Sequence, residues 1–344
     1  MTVHEAQTQA RGVHLVGSVP LQSNDEVFRR AAAILGGRLR RVPDGETGER
    51  YYWIGWQAGV LGRQPELEQV PPAPGAYAPP IFKLRTPGRA ITFGALGYAE
   101  AAIASYGVFR RLQDEGVLPS HYRFQVSLPT PIAVIVGFVN PSDVLAVEPA
   151  YAQRLLSELD QILVAIPHHE VAIQWDVAVE VGIIEGALPN PFDDPRGAIL
   201  ERLIRLGNRV PADVEVGYHL CYGDAEHQHF KQPADLSLLV DIANAVTAGV
   251  ERPITWFHMP VPRDRSDDAY FAPLRDLRRA PHTELYLGLV HYTDGVEGTR
   301  RRLEAAQRTV QDFGVATECG MGRRQPETIP DLLVIHAAVA VPVK

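Results

Sequence analysis

Cysteine is nearly absent from this chain: its 344 residues hold two, Cys221 and Cys319. That excludes a secreted scaffold held together by a disulfide framework, which needs cysteine at far higher density. Long apolar runs are missing as well. The longest, Leu332 to Val343, is interrupted by His336 and Pro342; it is too short to span a bilayer and reads as buried core. Met1 to Arg11 is polar and lacks the apolar centre of a secretory signal. Positive charge is not in excess. Lys and Arg number 33 against 41 Asp and Glu, a net charge of −8, which argues against a general nucleic-acid or anionic-membrane surface. There is no fixed-period repeat, low-complexity tract or composition shift to mark a second domain. The expectation is a cytoplasmic protein with a flexible N-terminus over 1–12 and one domain over 13–344.

What is present is an alternation of short apolar runs with amphipathic helical stretches, the pattern of an α/β fold with parallel strands. The runs lie at 13–16, 39–42, 123–126, 171–175, 214–218, 254–257, 285–290 and 314–317. Eight such runs suit a single closed (β/α)8 TIM barrel. Ser23-Asn24-Asp25-Glu26 reads as the N-cap of a helix through Ala33, and 143–166 and 299–313 carry the 3.6-residue period. Between Trp56 and Arg89 seven prolines (Pro65, Pro71, Pro72, Pro74, Pro79, Pro80, Pro87) forbid a long helix or an inner strand. This stretch is expected to be a Pro-rich insertion after the second strand, passing over a barrel face.

Each cysteine ends an apolar run. His219 precedes Cys221 by two residues, so a strand projects both side chains to one face. An imidazole and a thiol on one face, with a second thiol from a distant strand, make three-quarters of a zinc site. A disulfide and two ordinary buried thiols are the competing readings. In a parallel barrel the active site forms at the C-terminal strand ends. There the chain places Gly17-Ser18, Asp44-Gly45-Glu46, Ser127 to Pro131, Asp176 with Glu180 nearby, His219 and Cys221, His258, His291 and Asp294, and Glu318-Cys319. Just past the ligand pair, Asp224, Glu226, His227 and His229 form a polar cluster, read as a rim loop or as support for the metal ligands.

The segments Val16-Gly17-Ser18, Asp44-Gly45-Glu46, Gln125 to Pro131, Ile173 to Asp176, Tyr218-His219-Leu220-Cys221-Tyr222 and Glu318-Cys319-Gly320-Met321 carry a resemblance. Over residues 13 to 325 the chain resembles the catalytic domain of cobalamin-independent methionine synthase and its shorter relatives. The resemblance implies a (β/α)8 barrel that binds zinc and methylates a small thiol. By it, His219, Cys221 and Cys319 become the expected zinc ligands. Glu46 and Asp176, beside Gly17 and Ser18, become the expected holders of a substrate amino group. The family's fourth ligand is a glutamate after the sixth strand. Here His258 occupies that position, with two expectations: it ligates zinc, or it faces the open position. His291 and Asp294 fall near the family's proton-transferring histidine and are the expected catalytic pair.

Departures qualify the substrate. One barrel leaves no room for the second one that helps methionine synthase proper hold polyglutamylated folate, so folate is expected to be a poor donor. The expected partners are a small thiol acceptor and an alkyl donor, or a corrinoid protein carrying one. A lyase or rearrangement of a sulfur compound, and a non-catalytic zinc-binding protein, are the alternatives.

Overall fold

The computed structural model describes residues 9–71, 79–224 and 228–343. Its strands are β1 (Ala10–Arg11), β2 (Arg41–Pro43), β3 (Leu67–Val70), β4 (Ile81–Leu84), β5 (Arg123–Pro129), β6 (Val171–Val177), β7 (Glu215–Leu220), β8 (Trp256–Pro260), β9 (Glu284–Val290), β10 (Gly314–Thr317) and β11 (Ala340–Val341). Seven of them form one curled parallel sheet in the order β10-β9-β8-β7-β6-β5-β2, a half-barrel. Helices Asn24–Leu35, Tyr98–Asp114, Val144–Ala165, Pro195–Arg209, Ser237–Gly249, Gly295–Gln307 and Ile329–Val339 alternate with the strands. Every residue of β6 and β8 is buried, as expected where one face meets helices and the other the barrel interior.

Local chemistry sets the helix boundaries. Ser23 accepts a hydrogen bond from the Glu26 amide at 3.3 Å and caps the first long helix. Asp194 does the same for Pro195–Arg209, through the Gly197 amide at 3.0 Å. The helix expected over 299–313 instead runs Gly295–Gln307. Its start is pinned by Asp294, which pairs with Arg302 two turns in.

The expectation of a closed barrel needs correction, because the sheet does not close. The run at 13–16 forms no regular strand. It makes one bridge, Val13 to Val315, and a bond from the His14 amide to Val315 O at 2.9 Å. Toward the β2 side it contributes the Val13 amide, bonded to Arg38 O at 2.8 Å. The Leu15 and Val16 carbonyls are met by side chains from inside the sheet instead. Gln125 Nε2 donates to Leu15 O at 3.0 Å and Val16 O at 3.1 Å, and Gln174 Nε2 donates to Val16 O at 2.6 Å. Side chains from β5 and β6 thus meet carbonyls that take part in no strand ladder.

Residues 10–12, expected to be flexible, hold ordered backbone: β1 pairs in parallel with β11, and Ala10 is buried. In the 56–89 stretch lie a short helix, Gln57–Gly62, and an antiparallel hairpin of β3 with β4 that stands apart from the main sheet. Residues 72–78, including Pro72 and Pro74, fall outside the described residues. Leu332 to Val343 supplies core: Leu332, Leu333, Ile335 and Val339 are buried.

The inward-facing side chains lie in layers. At the N-terminal end Arg41, Glu215 and Glu284 meet. Above them Trp256, Tyr286 and Ala172 pack as a small apolar cluster separate from the main core. Gly217 makes that layer fit: a Cβ there would come within 2.0 Å of the Trp256 ring. Higher still, Asp176 on β6, His219 on β7 and His258 on β8 stand in register.

Candidate active site

His219, Cys221 and Cys319 converge at the C-terminal ends of the strands. One ligand atom from each lies within 4.8 Å of the others, and His219 Nε2 stands 3.7 Å from Cys319 Sγ. The disulfide alternative fails, because both cysteines are free thiols. Two soft sulfurs and an imidazole nitrogen, from the ends of two distant strands, are the donor types zinc takes. Contact with the Cys319 side chain, together with burial, holds the Cys221 thiol well above its ordinary pKa. Ionising Cys221 is therefore favoured by a nearby cation.

One cavity of about 170 Å³ joins this trio to the expected substrate residues. Gly17, Ser18, Glu46 and Asp176 line it together with His219, Cys221 and Cys319. Glu46 sits at φ 48°, a left-handed conformation uncommon for a non-glycine residue. It is held there by its own amide, which donates to Asp44 Oδ1 at 2.8 Å. Asp44 also accepts from Arg50 at 2.6 Å and Ser105 at 2.7 Å, so it serves as a brace for the turn. Burial, with the neighbouring Asp176 and Asp44 carboxylates, pushes Glu46 well above the usual carboxylate range. Burial pushes Asp176 up to about 7, against a hydrogen bond from Gln174 Nε2 at 2.8 Å. Two neighbouring carboxyls, both raised by desolvation, favour a cationic guest, which relieves both desolvation and repulsion.

His258 is not one of the three residues whose ligand atoms cluster, and it does not line this cavity. Its Nε2 faces Thr317 O at 2.9 Å, and its Nδ1 faces His219 Nδ1 at 2.6 Å. Both ring nitrogens are engaged. Burial lowers His258 to about 4, and burial together with His258 holds His219 well below its ordinary value. Both rings are neutral at physiological pH.

The expected catalytic pair, His291 and Asp294, does not line this cavity. Arg302 grips Asp294 bidentately at 2.6 and 2.9 Å, and Asp294 lines neither this cavity nor the next. His291 donates from Nε2 to Val261 O at 2.9 Å, while its Nδ1 lies 3.4 Å from Glu318. It faces a second cavity beyond the Glu318–Cys319 turn. From the rim cluster, His229 pairs with Glu318 at 3.2 Å, Asp224 lies 3.8 Å from Arg323, and Glu226 and His227 fall outside the described residues.

Several walls of the cavity have no sequence signal of their own. Trp53, Val179, Leu188 and Phe230 supply an apolar side, and Arg323 closes the rim with its guanidinium 5.0 Å from the Tyr52 ring. Trp53 and Tyr52 lie just after the strand-end segment, where nothing in the local pattern marks them. Arg323 follows Cys319 closely enough that proximity to the metal-type cysteine is a usable signal.

No family model matches the sequence, and no curated protein matches it. Solved structures do. A provisionally named vitamin-B12-independent methionine synthase from Listeria monocytogenes superposes with a TM-score of 0.55 at 14% identity, covering 96% of this chain and 98% of that one. A B12-independent methionine synthase from Shewanella sp. W3-18-1, solved with selenomethionine, gives 0.62 at 14% identity, covering 96% and 97%. At that identity the likeness is one of fold. Among the described residues no helix is long and apolar enough to cross a membrane.

Proposed function

We propose that the protein is a zinc-dependent transferase that moves a methyl or other alkyl group to a small thiol. One observation carries the reading: the zinc-type trio and a carboxyl pair suited to a cation line the same cavity. The structural neighbours support it, since both are named as methionine synthases and one was solved with an amino acid whose selenium bears a methyl group.

His219 Nε2, Cys221 Sγ and Cys319 Sγ are the atoms that would hold the metal. A zinc ion held there would supply Lewis acidity, favouring the thiolate form of a substrate thiol at neutral pH. The remaining work belongs to the chain. Glu46 and Asp176 accept hydrogen bonds from the substrate's ammonium and fix its orientation. Trp53, Val179, Leu188 and Phe230 exclude water from the reacting sulfur. Asp176 must be ionised to hold the ammonium. Its pKa of about 7 means that affinity for an amino-thiol rises as pH rises through 7 and is lost below it.

The deciding experiment has two stages. Metal analysis of purified protein is expected to give about one zinc per chain. Amino-thiols, homocysteine among them, are then expected to add a zinc–sulfur contact in X-ray absorption and to be alkylated in turnover. With methyltetrahydrofolate as donor, turnover is expected to stay below about 1 per second, the low end of ordinary enzymes. A corrinoid-bound or simpler alkyl donor is expected to do better. Protein that takes up no zinc, or that binds a thiol away from the trio, overturns the reading.

A further inference from the structure

His258 stands where the resembled family places a metal ligand, yet its ring is turned elsewhere, and the direction of its bonds is informative. Thr317 O can only accept a hydrogen bond, so His258 Nε2, 2.9 Å away, carries the proton. A neutral ring has one N–H, which leaves His258 Nδ1 bare. His219 Nδ1, 2.6 Å from it, is then the donor. His219 in turn has only one N–H, so its Nε2 keeps a free lone pair, and this is the atom facing Cys319 Sγ. Each bond dictates the next, from a backbone carbonyl to the atom that meets the metal.

The same chain joins the two halves of the trio. His219 and Cys221 belong to β7 and its end, and Cys319 follows β10 two strands beyond β8 in the sheet. Thr317 sits between them in function: its carbonyl takes His258, and its hydroxyl donates to Cys319 O at 2.7 Å, bracing the turn that bears the second cysteine. His258 is fully buried and His219 nearly so, so solvent does not compete for these bonds.

We infer that His258 is a positioning residue: by accepting from His219 Nδ1 and donating to Thr317 O, it locks His219 in the tautomer that presents Nε2 to the metal. The site then has three protein ligands and a fourth position left to substrate. This rests on the zinc reading above for its purpose, but the lock itself exists without metal.

The test has two parts. In metal-free protein with 15N-labelled histidine, His219 is expected to show the Nδ1–H tautomer, with its signal assigned by loss in His219→Gln. His258→Leu, which removes the acceptor, is expected to shift His219 toward Nε2–H. His258→Gln, whose amide can both accept and donate, is expected to preserve Nδ1–H. Zinc affinity, read by competition with a chromophoric chelator, is expected to fall about 10- to 100-fold in His258→Leu, the usual cost of losing a partner behind a ligand. In His258→Gln it is expected to stay within a few-fold of the parent. An Nε2–H His219 in the unmodified protein overturns the inference, and that measurement needs no variant to fold. So does X-ray absorption showing two imidazoles on zinc, one of them lost in His258→Leu. The expected tautomer in a protein that binds no zinc leaves the lock standing and removes the functional reading alone.

Discussion

The two ends of the curled sheet both bury charge, and they do so in opposite ways. At the N-terminal end the first residues of four strands meet. Arg41 pairs with Glu215 and, at 2.7 Å, with Glu284, while Arg123 and Arg40 each reach one of those acids at 3.0 Å. Arg41 also lies 4.4 Å over the Trp256 ring. Burial works against its charge, but Glu284 and Glu215 more than offset that, and its pKa is raised. At the C-terminal end Asp176 and Glu180 are buried and Glu46 partly so; Arg50 only partly offsets the effect on Glu46, and all three are pushed up, Asp176 and Glu180 to about 7. The lower end spends its charges on stability. The upper end keeps unsatisfied potential for a ligand, as functional sites commonly do.

The sharpest break of this comparison is loss of the sulfurs. Cys221→Ser and Cys319→Ser are each expected to abolish stoichiometric zinc while leaving the fold intact, measured by metal analysis beside circular dichroism. Either variant retaining full zinc would dissolve the difference between the ends. Next in size is the plug. Arg41→Ala removes the buried guanidinium that joins Glu215 to Glu284, leaving each acid one arginine (Arg123 and Arg40), and is expected to cost about 1–3 kcal/mol in denaturant unfolding. Zinc content per folded chain should not change; a parallel loss of zinc would show that the two ends are not separable.

At the upper end, removing charge is expected to act the other way on stability. Asp176→Asn is expected to weaken amino-thiol binding about tenfold or more, read by calorimetry, with zinc uptake preserved. Equal affinity in both proteins would make Asp176 purely structural. Glu180→Gln has the smallest effect and the clearest sign. Glu180, held by Thr130 and otherwise buried, has a folded pKa of about 7 against an ordinary 4.5. The folded state therefore binds the extra proton between those values, and stability falls as pH rises from 4.5 to 7 and stays low above. The glutamine variant is expected to gain about 1 kcal/mol or more at pH 8 and little at pH 4. Unfolding curves at both pH values check it; equal gains at both would remove the titration argument.

Much of this arrangement is legible in the sequence. The His219-x-Cys221 spacing puts both groups on one strand face, because alternation is a property of the extended backbone itself. The strand runs and the polar groups after them place Glu46, Asp176 and Cys319 on one rim, since parallel strands end together. Three features escape local pattern. The 13–16 run looks like a strand, yet Gln125 and Gln174, over 100 residues away, claim its carbonyls. Arg41 looks like a surface residue of a short strand until the acids opening β7 and β9 close around it. Asp294 follows a strand like any rim acid, but Arg302 takes it.

The sequence by itself determined which chemical groups reach the C-terminal rim. Their type and order are fixed by the chain, and their face by the strand period. Only the tertiary structure decided what each group does there. That depends on the direction of hydrogen bonds between residues far apart in sequence. His258 shows the division: its position after β8 is written in the chain, whereas its role is set by Thr317 O and His219 Nδ1, the acceptor and donor its ring meets in the folded protein.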